Sequence, residues 1–507
     1  MPIRITGLNS GLDTEAIISA LVSSYNYKTQ KYKKAQTKLS WKQDAWKDLN
    51  TKIYSLYTSV GNLRFSKAYN LKSASVSDAT KVSVTASTGA VNGAYSIQVT
   101  SLAKSGYLTG AKLEKADPAD TTKVSSVTTL GELGYASGDG KISINGTEIA
   151  VTADTKISDV VSGLQNAGVN ASFDEKNGRI FVSAKSAGEA NDFTLEGADA
   201  AGTEALEALG LVVDPNAEQG MGATRIEGTD AVIYVNGAKY TNDANSFSIN
   251  GLTINALAVT SETYDESKAV NATVGTDTQG IYDKIKDFLS QYNAVINEMA
   301  SLYNADSAKG YEPLTDEEKD AMSDTEVEKW EAKIKASLLR RDDTLSSIMS
   351  SMTNAMSKGV SVGGETLYLS NFGIMTLGYM NAPKNEHYAY HIDGDEDDVN
   401  TSGNTDKLMA AIAEDPDKVM EFMQGLTKNL YDAVDSKMKS TSLSSVYTVY
   451  NDKEMASEYS DYTSLITKWQ ERLEQQEEYY YNKFSAMETA LSKLNSQTSS
   501  LSGFFSR

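Results

Sequence analysis

Apolar residues recur every seven positions at both ends of this chain. Near the N-terminus one row of this spacing contains Ile18, Tyr25, Tyr32, Leu39, Trp46, Ile53 and Val60. A second row, three positions further on, contains Leu21, Lys28, Ala35, Lys42, Leu49, Leu56 and Leu63. Near the C-terminus the same spacing holds Ile466, Leu473, Tyr480, Met487, Leu494 and Leu501. Such repeats are typical of long helices that pack against another helix. The sequence therefore predicts two terminal helices that come together, as in an assembly subunit rather than an enzyme.

The N-terminal stripe buries too little apolar surface to hold its helix in place alone. Burying one large apolar side chain contributes roughly 1.5–3 kcal/mol, so seven contribute on the order of 10–20 kcal/mol. Ordering about fifty residues costs about 1.5 kcal/mol each, which is several times more. We therefore expect the terminal helices to become ordered on assembly, with the inner part of the N-terminal helix docked on a domain. The alternative is an intramolecular helix pair inside one globule.

The composition indicates a folded, acidic, multidomain protein. A length of 507 residues suggests about three or four domains. The hydrophobic fraction of 40% and the aromatic fraction of 8% are enough for folded cores. The net charge of −21 argues against nucleic acid as the main partner.

The charge is unevenly distributed along the chain. Residues 1–70 hold eleven Lys and Arg against four Asp and Glu, a net +7, which leaves −28 for the remainder. The basic run from Lys28 to Lys38 could therefore face the acidic run from Glu471 to Glu478 and set the orientation of the helix pair. The alternative is that both runs are solvated helix faces, since exposed ion pairs contribute little to stability.

Other features narrow the class of protein. The chain contains no cysteine, so it has no disulfide framework, thiolate metal site or cysteine nucleophile. No apolar stretch approaches the roughly 18 residues of a membrane span. The N-terminus lacks the apolar run of a secretory signal. On these features alone the protein would be expected in the cytoplasm.

The predicted elements change character twice along the chain. Asp13 is a plausible N-cap for a helix that runs to about Phe65. From Lys72, alternating Thr, Ser and Val predict strands, with turns at the Asn-Gly pairs 145–146 and 177–178 and a short helix at 157–167 between them. Residues 230–260 repeat the pattern of a strand into Asn-Gly and out again. Helices return at about 277 and are expected at 315–322, 324–341, 342–357, 405–413, 415–439 and 453–502.

The first of these returning helices has a clear amphipathic face, and the second a recognisable start. The face consists of Ile281, Ile285, Phe288, Tyr292, Val295 and Met299. Thr315 and Glu318 match a capping box.

Three separate stretches of the chain carry a family resemblance. The first is GLNSGLD at 7–13, followed by the long helix. The second begins with SINGTEI at 143–149. The third begins with FLSQYNAVINEM at 288–299 and continues to LSNFGIMT at 369–376. The first and third resemble the flagellar hook-associated protein 2 family, the flagellar filament cap proteins, and the second resembles a module of flagellar hook-associated proteins and flagellins. The resemblance covers nearly the whole chain in the same order.

The resemblance implies an α+β multidomain fold, with long terminal coiled-coil helices, a helical domain and two β-rich middle domains, one inserted in the other. The expected division is a terminal helix arm, or leg region, at 1–42; a helical domain at 43–71 plus 276–460; a β-rich domain at 72–130 plus 226–275; an inserted β-rich domain at 131–225; and a C-terminal helix at 461–507 that pairs with the arm.

The resemblance also implies a function as the structural cap at the distal end of the bacterial flagellar filament. Such a cap retains exported flagellin and promotes its folding and polymerisation for filament elongation. Its partners would be itself, as a ring-shaped homo-oligomer, together with flagellin, hook–filament junction proteins and an export chaperone at the C-terminal region. Secretion through the flagellar type III export channel would place it outside the cell, at the flagellar tip, without a signal peptide. No enzymatic activity, cofactor, nucleic acid or membrane insertion is implied.

The two histidines of the chain, His387 and His391, do not make a convincing metal or catalytic site. Their spacing would put them on one face of a helix, as in zinc sites. However, they alternate with Tyr388 and Tyr390, which predicts a strand in which they lie about 13 Å apart. A serine nucleophile would have no separate general base.

The acidic run that follows begins like a calcium loop, with Asp393, Asp395 and Asp397. Asp398 stands where such a loop needs glycine, and Asn404 where it needs glutamate. We expect an acidic solvated turn, with weak cation binding as the alternative.

The candidate functional residues are therefore those of helix pairing and assembly. They are Ile18, Tyr25, Tyr32, Leu39, Leu473, Tyr480, Met487, Leu494, Leu501, Phe504 and Phe505. Phe504 and Phe505 are hard to bury within one subunit, so contact with a neighbour, flagellin or a chaperone is expected. Trp41, Trp46, Tyr54 and Tyr57 are expected to pack between helices, with partner anchoring as the alternative.

Two other functions compete with the cap. One is a secreted adhesin whose β-rich domains at 72–275 bind host mucin or glycans. The other is a polysaccharide hydrolase, which the sequence disfavours because it offers no isolated acid–base pair.

Overall fold

The computed structural model describes residues 10–218 and 220–505, without the side chains of residues 503–505. The chain divides into two compact units. The helical unit runs up to Tyr69 and resumes at Thr278, and the β-rich unit spans Asn70–Asp277. Helices and several small sheets coexist, which confirms the predicted α+β class. The part of the predicted arm before Ser10 lies outside the described residues.

Ten α-helices lie within the described residues, eight of them in the helical unit. They are α1 (Thr14–Leu63), α2 (Ile157–Asn166), α3 (Ala200–Ala208), α4 (Thr278–Tyr303), α5 (Asp316–Asp320), α6 (Asp324–Ala336), α7 (Asp343–Ser357), α8 (Lys407–Glu414), α9 (Pro416–Lys437) and α10 (Asp452–Phe505).

The ends of α1 follow from local chemistry. Asp13 Oδ1 accepts a hydrogen bond from the backbone N–H of Ala16 at 3.0 Å, as predicted for the N-cap. Glu15 in the first turn lies at the positive end of the helix dipole. The helix ends at Leu63, two residues before the predicted end. It crosses the predicted boundary between arm and helical domain at 42–43 without a break, and α10 likewise crosses the boundary at 460–461.

The core of the helical unit lies between the inner half of α1 (residues 39–63), α4, α7 and α9. From α1 it takes Trp46, Leu49, Ile53, Leu56 and Val60, each at most 2% exposed. All six residues of the predicted α4 face are buried, which confirms that face. Each such side chain contributes roughly 1.5–3 kcal/mol by burial, so the inner half of α1 is held firmly.

Polar groups fix the ends of two elements in this unit. Thr315 Oγ1 accepts from the Glu318 N–H at 3.2 Å, and the Glu318 carboxylate accepts from the Thr315 N–H at 2.7 Å. This reciprocal pair is the predicted capping box at the start of α5. On α9, the buried Thr427 Oγ1 lies 2.7 Å from the Met423 carbonyl of its own helix and 3.1 Å from the Leu63 carbonyl at the end of α1.

Nineteen strands lie within the described residues. They are β1 (Lys72–Val76), β2 (Val82–Ala86), β3 (Gly93–Ser101), β4 (Tyr107–Thr109), β5 (Gly140–Ile144), β6 (Thr147–Val151), β7 (Asn170–Asp174), β8 (Arg179–Ser183), β9 (Leu195–Gly197), β10 (Thr224–Ile226), β11 (Ala231–Val235), β12 (Ala238–Asn242), β13 (Ser246–Ile249), β14 (Leu252–Ala256), β15 (Val270–Thr276), β16 (Val360–Val362), β17 (Glu365–Leu367), β18 (Ile374–Met375) and β19 (His391–Ile392).

The β-rich unit contains two separate hydrophobic cores. The first is built on a five-stranded antiparallel sheet in the order β1-β15-β3-β11-β12 and a three-stranded sheet β13-β14-β2. The second is built on the sheets β10-β4-β8-β7 and β6-β5-β9, together with α2 and α3. The chain enters the second core after β3 and leaves it before β11, so one domain is inserted in the other.

The inserted domain begins earlier than predicted. Leu108, Leu113, Val124 and Leu130 belong to its core, and β4 pairs with β8 and β10 of its sheet. The predicted boundary at residue 131 is therefore wrong. The isolated bridge between Lys104 and Thr229 marks where the two passages of the chain come together.

Two-residue Asn-Gly turns connect three of the hairpins. In the β5–β6 turn, Asn145 and Gly146 have φ of 51° and 79°, as a type I′ turn requires. The turns at 236–237 and 250–251 have the same geometry, with φ of 48° at each asparagine. The predicted Asn-Gly turns are thereby confirmed at these positions.

Candidate assembly interface

The helices α1 and α10 pair side by side in antiparallel orientation. Gln36 Nε2 donates to Thr463 Oγ1 at 2.7 Å and to the Tyr459 carbonyl at 3.3 Å. Further out, the Ser10 N–H donates to Glu488 Oε2 at 3.3 Å. Residue numbers thus rise along one helix as they fall along the other. We call the paired stretch, residues 14–38 of α1 with the facing part of α10, the arm.

An aromatic ladder runs along the arm and its base. The ring centroids of Tyr25 and Trp469 are 6.2 Å apart, those of Tyr32 and Tyr462 6.4 Å, and those of Trp46 and Tyr450 5.4 Å. The ammonium of Lys28 lies 4.2 Å from the Trp469 ring centroid, a cation–π contact. Tyr25 and Tyr32, predicted for helix pairing, therefore have identified partners.

The α10 side of this ladder differs from the predicted row. The predicted row started at Ile466, whereas the residues opposite Tyr25 and Tyr32 form a second row four positions earlier. Its signal was present, because Met455, Tyr462 and Trp469 are spaced by seven. Met455 and Ile466 are both buried, so both rows face α1.

The second predicted row on α1 is only partly right in the arm and is right near the core. Lys28 contacts Trp469 of α10, whereas Leu21 is 44% exposed and its neighbour Val22 only 3% exposed. A further row, Val22, Thr29 and Gln36, follows Ile18, Tyr25 and Tyr32 by four residues. Val22 and Thr29 are buried, and Gln36 donates to Thr463 of α10. Closer to the core, where α9 and α4 also contact α1, the predicted Leu49, Leu56 and Leu63 are buried.

The predicted pairing residues become more exposed along α10 toward its end. On α1, Ile18 and Leu39 are buried. Leu473, Tyr480 and Met487 are half-buried, whereas Leu494 and Leu501 are 59% and 58% exposed. Ser10 already lies opposite Glu488, so no part of α1 within the described residues faces the last turns of α10. The side chains of Phe504 and Phe505 lie outside the described residues.

The lysines of α1 do not face the acidic run of α10 as predicted. Because α10 runs antiparallel, residues after Trp469 lie opposite residues before Tyr25, whereas the basic run follows Tyr25. Instead, Lys34 pairs with Glu318 at 2.8 Å, Lys42 with Asp342 at 2.9 Å and Lys52 with Glu298 at 2.7 Å. These pairs link α1 to α5, to the start of α7 and to α4 within the helical unit.

The Lys34–Glu318 pair has an electrostatic consequence. Hydrogen bonds from the Lys34 ammonium and from the Thr315 backbone N–H stabilise the carboxylate, and they hold the pKa of Glu318 below its ordinary value. The contact links the arm to the start of α5.

A tyrosine cluster joins the inner half of α1 to α9. The Tyr57 and Tyr431 rings stack with centroids 4.6 Å apart and hydroxyls 2.7 Å apart, and the Tyr57 hydroxyl also donates to Asp435 Oδ1 at 2.9 Å. Burial, with these hydrogen bonds, raises the pKa of Tyr57. Tyr54 packs edge-on to Tyr447, with centroids 5.5 Å apart. Tyr57 packs between α1 and α9, and Trp46 is buried, as expected. Tyr54 is instead 41% exposed and contacts a loop residue, and the Trp41 ring lies 4.6 Å from the Lys335 ammonium of α6.

The histidine and aspartate segment is held by one pair within it and by two contacts with a lysine of α4. His391 Nδ1 lies 2.5 Å from Asp398 Oδ2, and Lys286 Nζ lies 2.6 Å from one carboxylate oxygen each of Asp395 and Asp397. The predicted strand is wrong for most of its length, because only His391–Ile392 pairs in a sheet. Burial lowers the pKa of Lys286 less than its two carboxylate partners raise it, so this amine is held protonated.

Neither a metal cluster nor a membrane span is present among the described residues. No group of three or more His, Cys, Asp or Glu is placed to hold a metal ion there. None of the described helices is both long and apolar enough to cross a bilayer.

Comparison with protein-family models gives two matches that together cover most of the chain. The model described as the flagellar hook-associated protein 2 C-terminus matches residues 228–496, and that described as the N-terminus of the same protein matches residues 10–106. The first alone spans more than half of the sequence.

Curated relatives carry the same description. A flagellar hook-associated protein 2 from Halalkalibacterium halodurans is 24% identical over 99% of this chain and 99% of the relative. One from Thermotoga maritima is 29% identical over 72% of this chain and 54% of the relative. The D1-D2-D3 domains of the flagellar cap protein from Escherichia coli align with a TM-score of 0.49 at 22% identity, covering 78% of this chain and 96% of that structure. The comparisons lend no support to the adhesin alternative.

Proposed function

Because the chain belongs to the flagellar hook-associated protein 2 family, we propose that it is the structural cap at the distal end of the bacterial flagellar filament. In this role it retains exported flagellin and promotes its folding and polymerisation, so that the filament elongates. The observation that carries the proposal is a match to one relative of this description over 99% of both chains. The proposed role is mechanical, with no catalytic step, and the protein acts outside the cell after passage through the flagellar export channel.

The arm supports a role in contact with the filament. It projects two long helices whose inner ends are fixed in a buried core and whose outer ends have few other partners. Such an element can pivot or reorder without unfolding the rest of the unit. We assign the arm as the leg region that engages the filament end, and the β-rich unit as the cap plate. The partners in this arrangement are other copies of the chain in a ring, flagellin and the hook–filament junction proteins.

The exposed end of α10 is the part of the arm best suited to intermolecular contact. Leu494 and Leu501 expose more than half of their surface to solvent in the single chain. Burying the exposed part of both against a neighbouring subunit, flagellin or an export chaperone would contribute roughly 2–3.5 kcal/mol. We place Phe504 and Phe505 in the same contact.

The proposal is tested in the parent species after deletion of the gene. The strain is complemented with the full chain, with a chain lacking residues 1–40, or with a chain lacking the last forty. Filament length and flagellin in the culture medium are measured. A cap that works through the arm gives short filaments and leaked flagellin with the empty strain and with either truncation. Filaments of normal length in the empty strain would contradict the cap role.

Point variants separate contact from folding. The double variant Leu494→Asp with Leu501→Asp is expected to leave the thermal unfolding of the purified chain unchanged while shortening filaments. Ser499→Asp adds a charge on the other side of the same helix and serves as the matched control. Equal filament lengths for both variants would remove Leu494 and Leu501 from the assembly contact.

A further inference from the structure

A cavity of about 560 Å³ lies between α4, α7 and the loop at 376–390 in the helical unit. This volume is within the range of about 300–1,000 Å³ of pockets that bind small ligands. It also exceeds the size of a single carboxylate. Its lining is mostly polar and includes Asn304, Arg341, Ser346, Lys384, Asn385 and His387.

The charged groups of the lining are both cationic. Arg341 and Lys384 line the cavity, and no carboxylate does. Neither forms an ion pair with any described residue; the Arg341 guanidinium instead lies 4.9 Å from the Tyr303 ring centroid. In a chain with a net charge of −21, this cavity is lined by two cations and by no carboxylate. The cavity therefore favours a negatively charged occupant.

Two residues of the lining adopt a backbone conformation that side chains disfavour. Arg341 has φ of 53° and Asn385 has φ of 70°. Of the six described non-glycine residues with positive φ, three are the asparagines of Asn-Gly hairpin turns, and two of the other three line this cavity. Such conformations persist where the surrounding structure holds them, and they cluster at ligand sites.

A polar atom in the lining also lacks a partner. His387 Nδ1 is buried and accepts or donates no hydrogen bond within the described part of the chain. The imidazole is held by the Tyr379 ring, with centroids 4.6 Å apart. This nitrogen exposes no surface to solvent, so a group bound in the cavity does not contact it directly.

Two strongly exposed side chains belong to the loop that lines the cavity: Tyr379, which lines it, and the next residue, Met380. Tyr379 is 80% exposed and the adjacent Met380 is 90% exposed. Tyrosine and methionine are enriched at protein interfaces, where they give large contact areas that adapt to a partner. The site thus combines two exposed cationic side chains with two exposed apolar ones.

We propose that this cavity binds a peptide segment of a partner protein that carries a carboxylate beside an apolar side chain. The carboxylate lies between Arg341 and Lys384, and Asn304 and Asn385 contribute hydrogen-bond donors from their amide groups. The neighbouring apolar side chain packs on Tyr379 and Met380. This inference is independent of the cap function, since it concerns a surface of the helical unit away from the exposed end of α10.

The test uses the full-length protein and a fluorescein-labelled hexapeptide of alternating leucine and glutamate. Fluorescence anisotropy compares this peptide with its counterpart in which glutamine replaces glutamate. The variants are Arg341→Asn, which removes the charge but tolerates the positive φ, and Lys384→Glu. Arg340→Asn, on the neighbouring exposed arginine outside the cavity, is the matched control. Circular dichroism confirms that each variant is folded; Lys384→Gln replaces Lys384→Glu should the latter unfold.

The parent protein is expected to bind the glutamine peptide at least tenfold more weakly than the glutamate peptide. The double variant, Arg341→Asn with Lys384→Glu, is expected to bind the glutamate peptide at least tenfold more weakly than the parent does, whereas Arg340→Asn should bind it like the parent. Tyr379→Ala is expected to weaken binding by a smaller factor. Equal affinities for the two peptides, or binding that survives the double variant, would overturn the proposal. Inorganic phosphate and the unlabelled peptide are also compared as competitors. If phosphate displaces the labelled peptide at concentrations as low as those of the unlabelled peptide, the proposal is overturned, because the site then recognises a free oxyanion.

Discussion

Replacement of Trp469 by alanine tests whether the aromatic ladder holds the arm together. The indole contacts Tyr25 at 6.2 Å between ring centroids and Lys28 at 4.2 Å. An aromatic pair of this kind is worth about 0.5–1.5 kcal/mol. An exposed cation–π contact adds about 0.5–1 kcal/mol. The variant should therefore destabilise the closed arm by about 1–2.5 kcal/mol, which is about a 5- to 70-fold increase in its opening equilibrium.

Hydrogen exchange measured by mass spectrometry resolves this change by position. Peptides from residues 14–36 should lose protection by that factor, because their amides exchange through opening of the arm. Peptides from residues 46–63 should keep their protection, since Trp46, Leu49 and Ile53 are fixed in the core independently of Trp469. Tyr459→Ala removes an exposed ring from the same helix and serves as the control.

Two outcomes would refute this reasoning. A change of less than twofold at residues 14–36 would mean that the ladder contributes nothing to pairing. Equal deprotection of the outer and inner parts of α1 would mean that the helix opens as one unit, so that arm and core would not be separable.

Three further predictions follow from other contacts. Val22→Asp, at a position 3% exposed, should reduce the hydrogen-exchange protection of the arm several times more than Leu21→Asp, at a position 44% exposed. Similar effects of the two variants would contradict the assignment of Val22 to the contact with α10. Glu318→Gln should lower stability at neutral pH, because the Glu318 pKa is held below its ordinary value of 4.5 in the folded protein. The stabilisation by the carboxylate is fully present above pH 4.5 and is lost as the pH falls through the lowered pKa. The thermal melts of variant and parent should therefore converge in acid, with Glu317→Gln as the control. Gly251→Ala should destabilise the β-rich unit more than Gly146→Ala in urea unfolding. Both positions need positive φ, but a Cβ at Gly251 would lie 2.8 Å from the Ala90 nitrogen, whereas one at Gly146 meets nothing within 4 Å. The reverse order of stability would contradict the turn geometry.

Features with a strong local signal were predictable from the sequence. The face of α4 repeats at 3.6-residue spacing and has no competing apolar side, so all six of its residues were placed correctly. The Asn-Gly turns follow from the positive φ that both positions of a type I′ turn require. Asp13 and the Thr315–Glu318 box were identified because their side chains bond to the backbone only a few residues away.

Features decided by distant neighbours were not predictable. Leu21 and Val22 are equally apolar, and only the position of α10 selects Val22 for the seam. The start of the inserted domain was missed because the chain between Ala103 and Leu130 joins its core through one three-residue strand and irregular segments. The Arg341 and Lys384 cavity likewise comes from two segments more than forty residues apart, and no spacing in the sequence connects them.

The antiparallel pairing of α1 with α10 also fixes the order in which the molecule can fold. Gln36 and Thr463 are separated by 427 residues, so direct closure of that loop is entropically costly. Once the core has formed, however, Trp46 and Tyr450 already lie together at the base of the arm. The pairing of α1 with α10 can then extend from this contact, one turn after another, toward the outer end of the arm. During synthesis or passage through a channel with its N-terminus first, the outer half of α1 must wait for its partner until nearly the whole chain has emerged. The arm is therefore the last part of the protein to fold and the first to open.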